Sequence, residues 1–374
     1  RSGANEVWVW HAAIARAITI GAMDLAALAE QRLQRIAPEQ RLWGLELRQL
    51  DRTGEAFAAL VRTRREQIGQ LKAVRWMAIG AHGPTAMLCC EGGIFYAKRY
   101  LGAGRPAASV AFTHRISRGL AERGLRVPLP MGDRQGDDVM VFGDDLMALY
   151  PDLGGRSIRD EDIDVASAEQ VGRLLATVHK LGAELAHHGG RPAGGIRIGT
   201  RVLRHPSPAA AWQLRLARQP DCAARLDQHA LRGRLDSLLR ATGRRLAAVL
   251  DRCPTTLVHG DFGPGNVLAH AEPAPWAIVD WDLADADLAV WDLARAIDRL
   301  AVYWPSEAGR PTEIRAAVAA AMLRGYETAR PLNSAEQVAL PVLIAASRVD
   351  LDASVLPMCV HLEPEAAEPI LAAM

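Results

Sequence analysis

The chain has 374 residues with 44 basic against 43 acidic side chains, and nothing in a net charge of +1 implies a nucleic-acid or membrane-surface partner. No apolar run is long enough for a transmembrane segment, and Asn5, Glu6 and His11 interrupt the first residues too early for a signal peptide. Five cysteines without a C-x-x-C pair or paired spacing argue against a disulfide framework or a zinc site, so a reducing cytoplasm and a small-molecule partner are expected.

Residues 1–70 carry apolar side chains at helical period, as at Ala22, Leu25, Leu28, Leu33 and Ile36, which predicts a helical N-terminal extension. From 71 the texture changes. Residues 74–79, 86–90 and 94–100 read as strands, the last two joined through Glu91-Gly92-Gly93 as a tight hairpin. A helix over 107–122 stops at Gly124, and 126–130, 139–142 and 146–150 follow as short strands. Residues 71–150 thus form a strand-rich lobe with one helix, and Pro151-Asp-Leu-Gly-Gly155 is the candidate hinge. Residues 151–374 read as mainly helical, with helices over 167–185, 223–250, 288–300, 313–328 and 334–356, and Ser334-Ala-Glu-Gln337 has the residue types of a capping box.

Within that second lobe lies Leu257-Val-His-Gly-Asp-Phe-Gly-Pro-Gly-Asn-Val-Leu268, followed by a turn over 271–275 and the strand Ala277-Ile-Val-Asp-Trp-Asp282. The spacing His-x-Asp-x-x-x-x-Asn is that of a phosphoryl-transfer loop, in which the Asp takes the proton of the attacking hydroxyl and the Asn reaches Mg²⁺. Asp261 and Asn266 occupy those places, and Asp280, delivered by the buried strand that follows, is the second metal-ligand candidate. Asn266 gains weight because Asn otherwise occurs only at Asn5 and Asn333. His259, at a strand end, is expected to support the loop by bonding backbone, and Asp292 to cap its helix or brace the loop.

Lysine is equally scarce, at Lys72, Lys98 and Lys180 alone. Lys98 lies on a predicted strand of the first lobe, where a kinase sets the ammonium that meets nucleotide phosphates. Gly80 and Gly83, in Ile79-Gly-Ala-His-Gly-Pro84, suit a turn whose N–H groups cover phosphates, although an ordinary hairpin uses the same residues.

Together Lys98, Leu146-Met-Ala-Leu-Tyr-Pro-Asp-Leu-Gly-Gly-Arg156, Leu174-Leu-Ala-Thr-Val-His-Lys180, the string from His259 to Leu268 and the segment 278–294 resemble the aminoglycoside phosphotransferase and choline kinase family. Tyr326-Glu-Thr-Ala-Arg-Pro-Leu-Asn-Ser-Ala-Glu336 is similar to the closing helices of the homoserine kinase-like and spore-coat kinase-like branches, and Gly124-Leu-Arg-Val-Pro-Leu-Pro130 to lipopolysaccharide sugar kinases. The resemblance implies an α+β, bilobal protein-kinase-like fold with ATP or GTP between the lobes. It implies Asp261 as base, Asn266 and Asp280 on Mg²⁺, Lys98 on the phosphates, and backbone at Ala148, Leu149 and Tyr150 holding the base of the nucleotide. The acceptor, a small-molecule hydroxyl compound of aminoglycoside, amino-alcohol or sugar type, is expected in the second lobe near Asp285, Asp287, Trp291, Tyr303 and Trp304, although Trp at helical spacing more often belongs to a core.

One departure stands out. Kinases pair the strand Lys with a Glu on the next helix, yet no acid lies between Lys98 and Glu122; Thr113 or His114 stands at that place. Lys98 is then held by another partner, such as Glu91 or a carboxylate of the metal segment, or is ordered only when ATP binds. Kinases of proteins or envelope glycans, and a nucleotide-binding regulator without catalysis, are the alternatives this leaves open.

Overall fold

In a computed structural model of the chain, residues 53–80, 83–100, 107–158, 163–186, 249–271, 275–303, 313–344 and 347 are described, with single helical positions between 210 and 246. The extension up to residue 52, Trp304, the centre of the 271–275 turn and most of the helix expected over 223–250 lie outside the described residues. The chain divides into two compact units, the first running to Arg115 and taking in Pro128–Leu153, the second holding Ile116–Val127 and most of the chain from Gly154 onward.

The first unit contains α1 (Thr53–Ile68), β1 (Leu71–Gly80), β2 (Gly83–Cys90), β3 (Gly93–Tyr100), the start of α2 (Ala107–Glu122), β4 (Met140–Phe142) and β5 (Asp145–Pro151). Its strands form one antiparallel sheet in the order β1-β2-β3-β5-β4. Because side chains alternate between faces along a strand, odd-numbered β3 and β5 residues point one way. Phe95, Ala97, Met147 and Leu149 are buried there with Ala86 and Leu88 of β2 and with Ala56, Phe57 and Leu60 of α1. Phe57, Leu60, Val61, Arg64 and Ile68 recur at helical spacing and are all buried. Burying Phe57 and Leu60 contributes roughly 1.5–3 kcal/mol each. The last turns of the predicted extension are therefore one wall of the sheet's core, which periodicity alone does not reveal.

The even-numbered residues face the other way. Tyr100 and Ala148 are buried against Val110 of α2, with Leu146 and Tyr150 packed beside them. Lys98, in register with Ala148, stands on this α2 face.

The second unit contains β6 (Arg156–Ser157), α3 (Val165–Ala186), β7 (Thr255–Val258), β8 (Val267–Ala269), β9 (Ala277–Ile278), β10 (Asp285–Leu288), α4 (Ala289–Ala301), β11 (Val302–Tyr303), β12 (Glu313–Ile314), α5 (Ala316–Ala329) and α6 (334–344). β7 pairs with β10, and β8 lies between β6 and β9.

Three expectations change. Residues 126–130 form no strand but only a single bridge from Arg126 to Ala277, since Pro128 and Pro130 remove the donors a ladder needs. Glu313 and Ile314 pair with Tyr303 and Val302, so the helix expected from 313 begins at Ala316. The capping box is Asn333 to Glu336, one residue earlier than read: the Glu336 N–H donates to Asn333 Oδ1 at 2.9 Å and the Asn333 N–H to Glu336 Oε2 at 3.0 Å.

α3 and α5 cross at contact distance through two glycines. A Cβ on Gly172 would overlap the Met322 carbonyl, and one on Gly325 the Glu169 carbonyl. Gly325→Ala will destabilise the second unit by about 1–3 kcal/mol, the range for overpacking. Gly233→Ala, where an added Cβ meets nothing, will leave stability unchanged or raise it by about 0.4–1 kcal/mol. Urea midpoints of the two variants measure the difference.

Candidate active site

The loop after β7 begins with His259 and ends in a 3₁₀ turn, Pro264–Asn266, that feeds β8. Gly260 has φ 77°, and a Cβ there would overlap the Leu283 carbonyl oxygen. Only glycine satisfies both conditions at low cost. The following residue, Asp261, is half-buried.

Three sequence-predicted residues meet here. The Asn266 side-chain amide donates to the Asp261 backbone carbonyl at 2.8 Å and to Asp261 Oδ2 at 3.0 Å, so its Oδ1 remains as an acceptor. Val267 pairs with Ile278, and the Val279 N–H donates to the Asn266 carbonyl at 2.9 Å. That register sets Asp280 at the strand end beside Asn266. Asp280 has φ 62° and ψ 62°, and among the described residues no other non-glycine has positive φ. Such a conformation costs on the order of 1 kcal/mol or more and clusters at functional sites. One amide oxygen and one carboxylate fit Mg²⁺, a hard cation that takes oxygen ligands and leaves further places to phosphates.

The loop is fixed from behind. His259 Nε2 donates to the Val279 carbonyl at 3.0 Å, and its Nδ1 accepts the Asp261 N–H at 3.2 Å. Because a carbonyl only accepts, the proton belongs on Nε2. The ring is wholly buried, tilted on Trp281 at 4.7 Å and edge-on to Phe262 at 5.7 Å. Asp292, in the first turn of α4 and 0% exposed, receives the N–H of His259 at 2.8 Å on Oδ2 and that of Gly260 at 3.0 Å on Oδ1. His179 Nε2 of α3 lies 3.2 Å from Oδ2, and its Nδ1 2.7 Å from the Tyr326 hydroxyl of α5. Arg330 in turn donates to Tyr326 at 3.0 Å and to Glu336 at 2.8 Å.

Burial opposes the Asp292 anion, but the bonds from His179 and the loop outweigh it and hold the carboxyl below its ordinary value. Burial also pushes the His179 imidazole down, against the pull of Asp292, so the ring is neutral and donates from Nε2.

The other predicted residues fall as follows. Gly80 pairs with Gly83 at the end of the β1–β2 ladder, with Gly83 at φ 129°. Lys98 Nζ lies 5.6 Å from the Tyr100 ring centroid. Ala148 and Leu149 are buried, and the Tyr150 hydroxyl bonds both Tyr100 and His114, each at 2.8 Å. Of the two residues read at the place of the missing helix Glu, His114 bonds Tyr150 and Thr113 bonds its own helix at Ser109. Glu91, considered as a partner for Lys98, instead receives the Gln70 N–H at 3.0 Å at the far hairpin.

Asp285 and Asp287 are half-buried on one face of β10, opposite Val258 and Thr256. Trp291 is 1% exposed inside α4, a core residue with no surface to offer an acceptor. Tyr303 lies on β11; its side chain, like Trp304, falls outside the described residues.

The sequence reading missed two residues. His179 carried one signal, a polar ring on the apolar stripe of Val171, Leu174, Leu175 and Val178. Arg299 carried none in a chain rich in arginine, yet its Nη1 forms an ion pair with Asp261 Oδ1.

Residues 91–332 match the phosphotransferase enzyme family, and the chain belongs to that family: it is a small-molecule phosphotransferase with a hydroxyl group as acceptor. Its curated relatives include a homoserine kinase of Phenylobacterium zucineum, 29% identical over 74% of this chain and 77% of that protein. Another, of Gluconacetobacter diazotrophicus, is 30% identical over 75% and 79%. Among solved structures, a microcompartment-associated aminopropanol kinase aligns with a TM-score of 0.58 at 15% identity, covering 84% of this chain and 93% of its own. An amicoumacin kinase in complex with AMP-PNP, Ca²⁺ and Ami aligns at 0.57 and 16%, over 86% and 94%. These likenesses establish the protein-kinase-like fold. Among the described residues no helix is long and apolar enough to cross a membrane.

The buried brace predicts an acid response with two windows. His179 binds a proton less readily folded than unfolded, so its contribution is full above about pH 6.5 and declines below it, by up to about 1.4 kcal/mol per pH unit for one proton. Asp292, depressed when folded, adds a loss only below about pH 4. Denaturant midpoints between pH 8 and 5 will fall in the native chain, and His179→Gln will be less stable throughout but flatter across that range.

Proposed function

We propose that this chain transfers the γ-phosphate of ATP, with Mg²⁺, to a hydroxyl of a small acceptor of amino-acid or amino-alcohol type. The observation that carries the reading is the convergence of Asp261, Asn266 and Asp280 at one loop and one strand end. Asp261 orients the acceptor hydroxyl and takes its proton as the acceptor oxygen bonds the γ-phosphorus. The bond from that phosphorus to the β-phosphate oxygen breaks and ADP leaves. Asn266 and Asp280 hold the metal, which when bound neutralises charge on the phosphates. Lys98 meets the phosphates, the Gly80–Gly83 hairpin covers them, and the backbone of Ala148 to Tyr150 holds the adenine. Phosphoryl transfer asks little covalent chemistry of a protein, so positioning and charge carry the rate. Homoserine kinase relatives aligned over about three quarters of both chains support an acceptor of this size, and the cytoplasm is the compartment such chemistry implies.

ADP release with Mg²⁺ and either ATP or GTP, across homoserine, amino alcohols, sugars and aminoglycosides, tests the reading. Acceptor-dependent turnover with ATP is expected, falling about 10²–10⁴-fold in Asp261→Asn while nucleotide affinity persists. Turnover that survives this substitution would sink the assignment of the base. Nucleotide binding without transfer to any acceptor would replace the enzyme with a regulator.

A further inference from the structure

Every residue of α4 is buried except Arg299. Its guanidinium, 27% exposed, pairs with Oδ1 of Asp261, 29% exposed, while Asn266 holds Oδ2 of the same carboxylate. It also packs over Gly263, where a Cβ would stand 2.6 Å from Arg299 Nε. The helix therefore anchors the stem of this arginine, and the loop leaves space for its head beside the proposed base.

We propose that Arg299 is the acceptor-recognising cation of this site, and that its ligand is a carboxylate carried by the acceptor: the substrate class is a hydroxy acid, such as a hydroxyl-bearing amino acid, rather than a simple amino alcohol. The inference rests on Asp261 being the base. Three arguments support it. Both charged groups remain partly in solvent, so an incoming carboxylate can reach Arg299 and exchange for Asp261. Guanidinium and carboxylate match as a two-bond fork, a stronger geometry than the present contact with one oxygen. An acceptor carboxylate next to the Asp261 anion would be repelled without a cation between them, whereas an ammonium in the same place would be repelled by Arg299. Exchange also releases Oδ1 of Asp261 to take the hydroxyl proton, which ties recognition of the acceptor to readiness of the base.

Homoserine and 3-aminopropanol differ only by the carboxylate, and this pair supplies the test. The native chain is expected to prefer homoserine in kcat/KM. Arg299→Gln is expected to lower the homoserine-to-aminopropanol ratio about 30-fold or more, the factor implied by losing one partner of a hydrogen-bonded charge pair. The loss falls mainly in KM for homoserine, and Arg299→Lys recovers part of it. Equal losses for both acceptors would overturn the inference, placing the guanidinium on the γ-phosphate and leaving the kinase reading intact. No preference for homoserine in the native chain would overturn it as well. Calorimetry separates the two readings: homoserine that binds the native chain, binds Arg299→Gln more weakly and is never phosphorylated supports the carboxylate contact and removes the kinase reading.

Discussion

Two successive backbone N–H groups, those of His259 and Gly260, end on one buried carboxylate, and the shape of the loop that carries Asp261 depends on them. A helix usually uses an acid in its first turn to meet its own free N–H groups. α4 lends Asp292 to a different segment instead. Without water to share, the anion is stabilised by the donors aimed at it, and His179 supplies the third. From His179 the polar line continues to Tyr326, Arg330 and Glu336, whose other oxygen closes the cap of α6. Four helices and the loop that carries Asp261 are thus coupled through a few buried hydrogen bonds.

Periodicity carried the fold a long way. α2 spans the residues that its apolar spacing and Gly124 imply, and β5 extends only slightly past its expected ends. Where the reading failed, a nonlocal or backbone effect prevailed: two prolines at 128 and 130 emptied a ladder, and a short pairing with β11 converted Glu313 and Ile314 to strand. The helical period of α1 was readable, but a period states that an apolar stripe exists and not which sheet it covers.

The site divides along the same line. Asp261, Asn266 and Asp280 lie close in sequence, and scarcity made Asn266 and Lys98 conspicuous. His179 is 113 residues from Asp292, and Arg299 is 38 from Asp261; their roles arise only when helices pack. A left-handed Asp280 was likewise invisible, since the sequence reads as an uninterrupted strand entering a turn. Asp tolerates that conformation better than most residues because its short side chain bonds locally, and this reconciles a ligand-type side chain with a sharp change of chain direction.

The burial pattern of α4 also bears on how such a protein diversifies. Any neighbour of Arg299 on that helix is packed in the core, so replacing it disturbs the hydrophobic interior or the brace on the loop. Arg299 instead meets Asp261 and Gly263 of the loop, and a change there alters the charge beside Asp261 without replacing a buried residue of α4. The frame beneath the loop is thus constrained by packing, while the position of Arg299 can change the charge offered to an acceptor with the least disturbance to that frame.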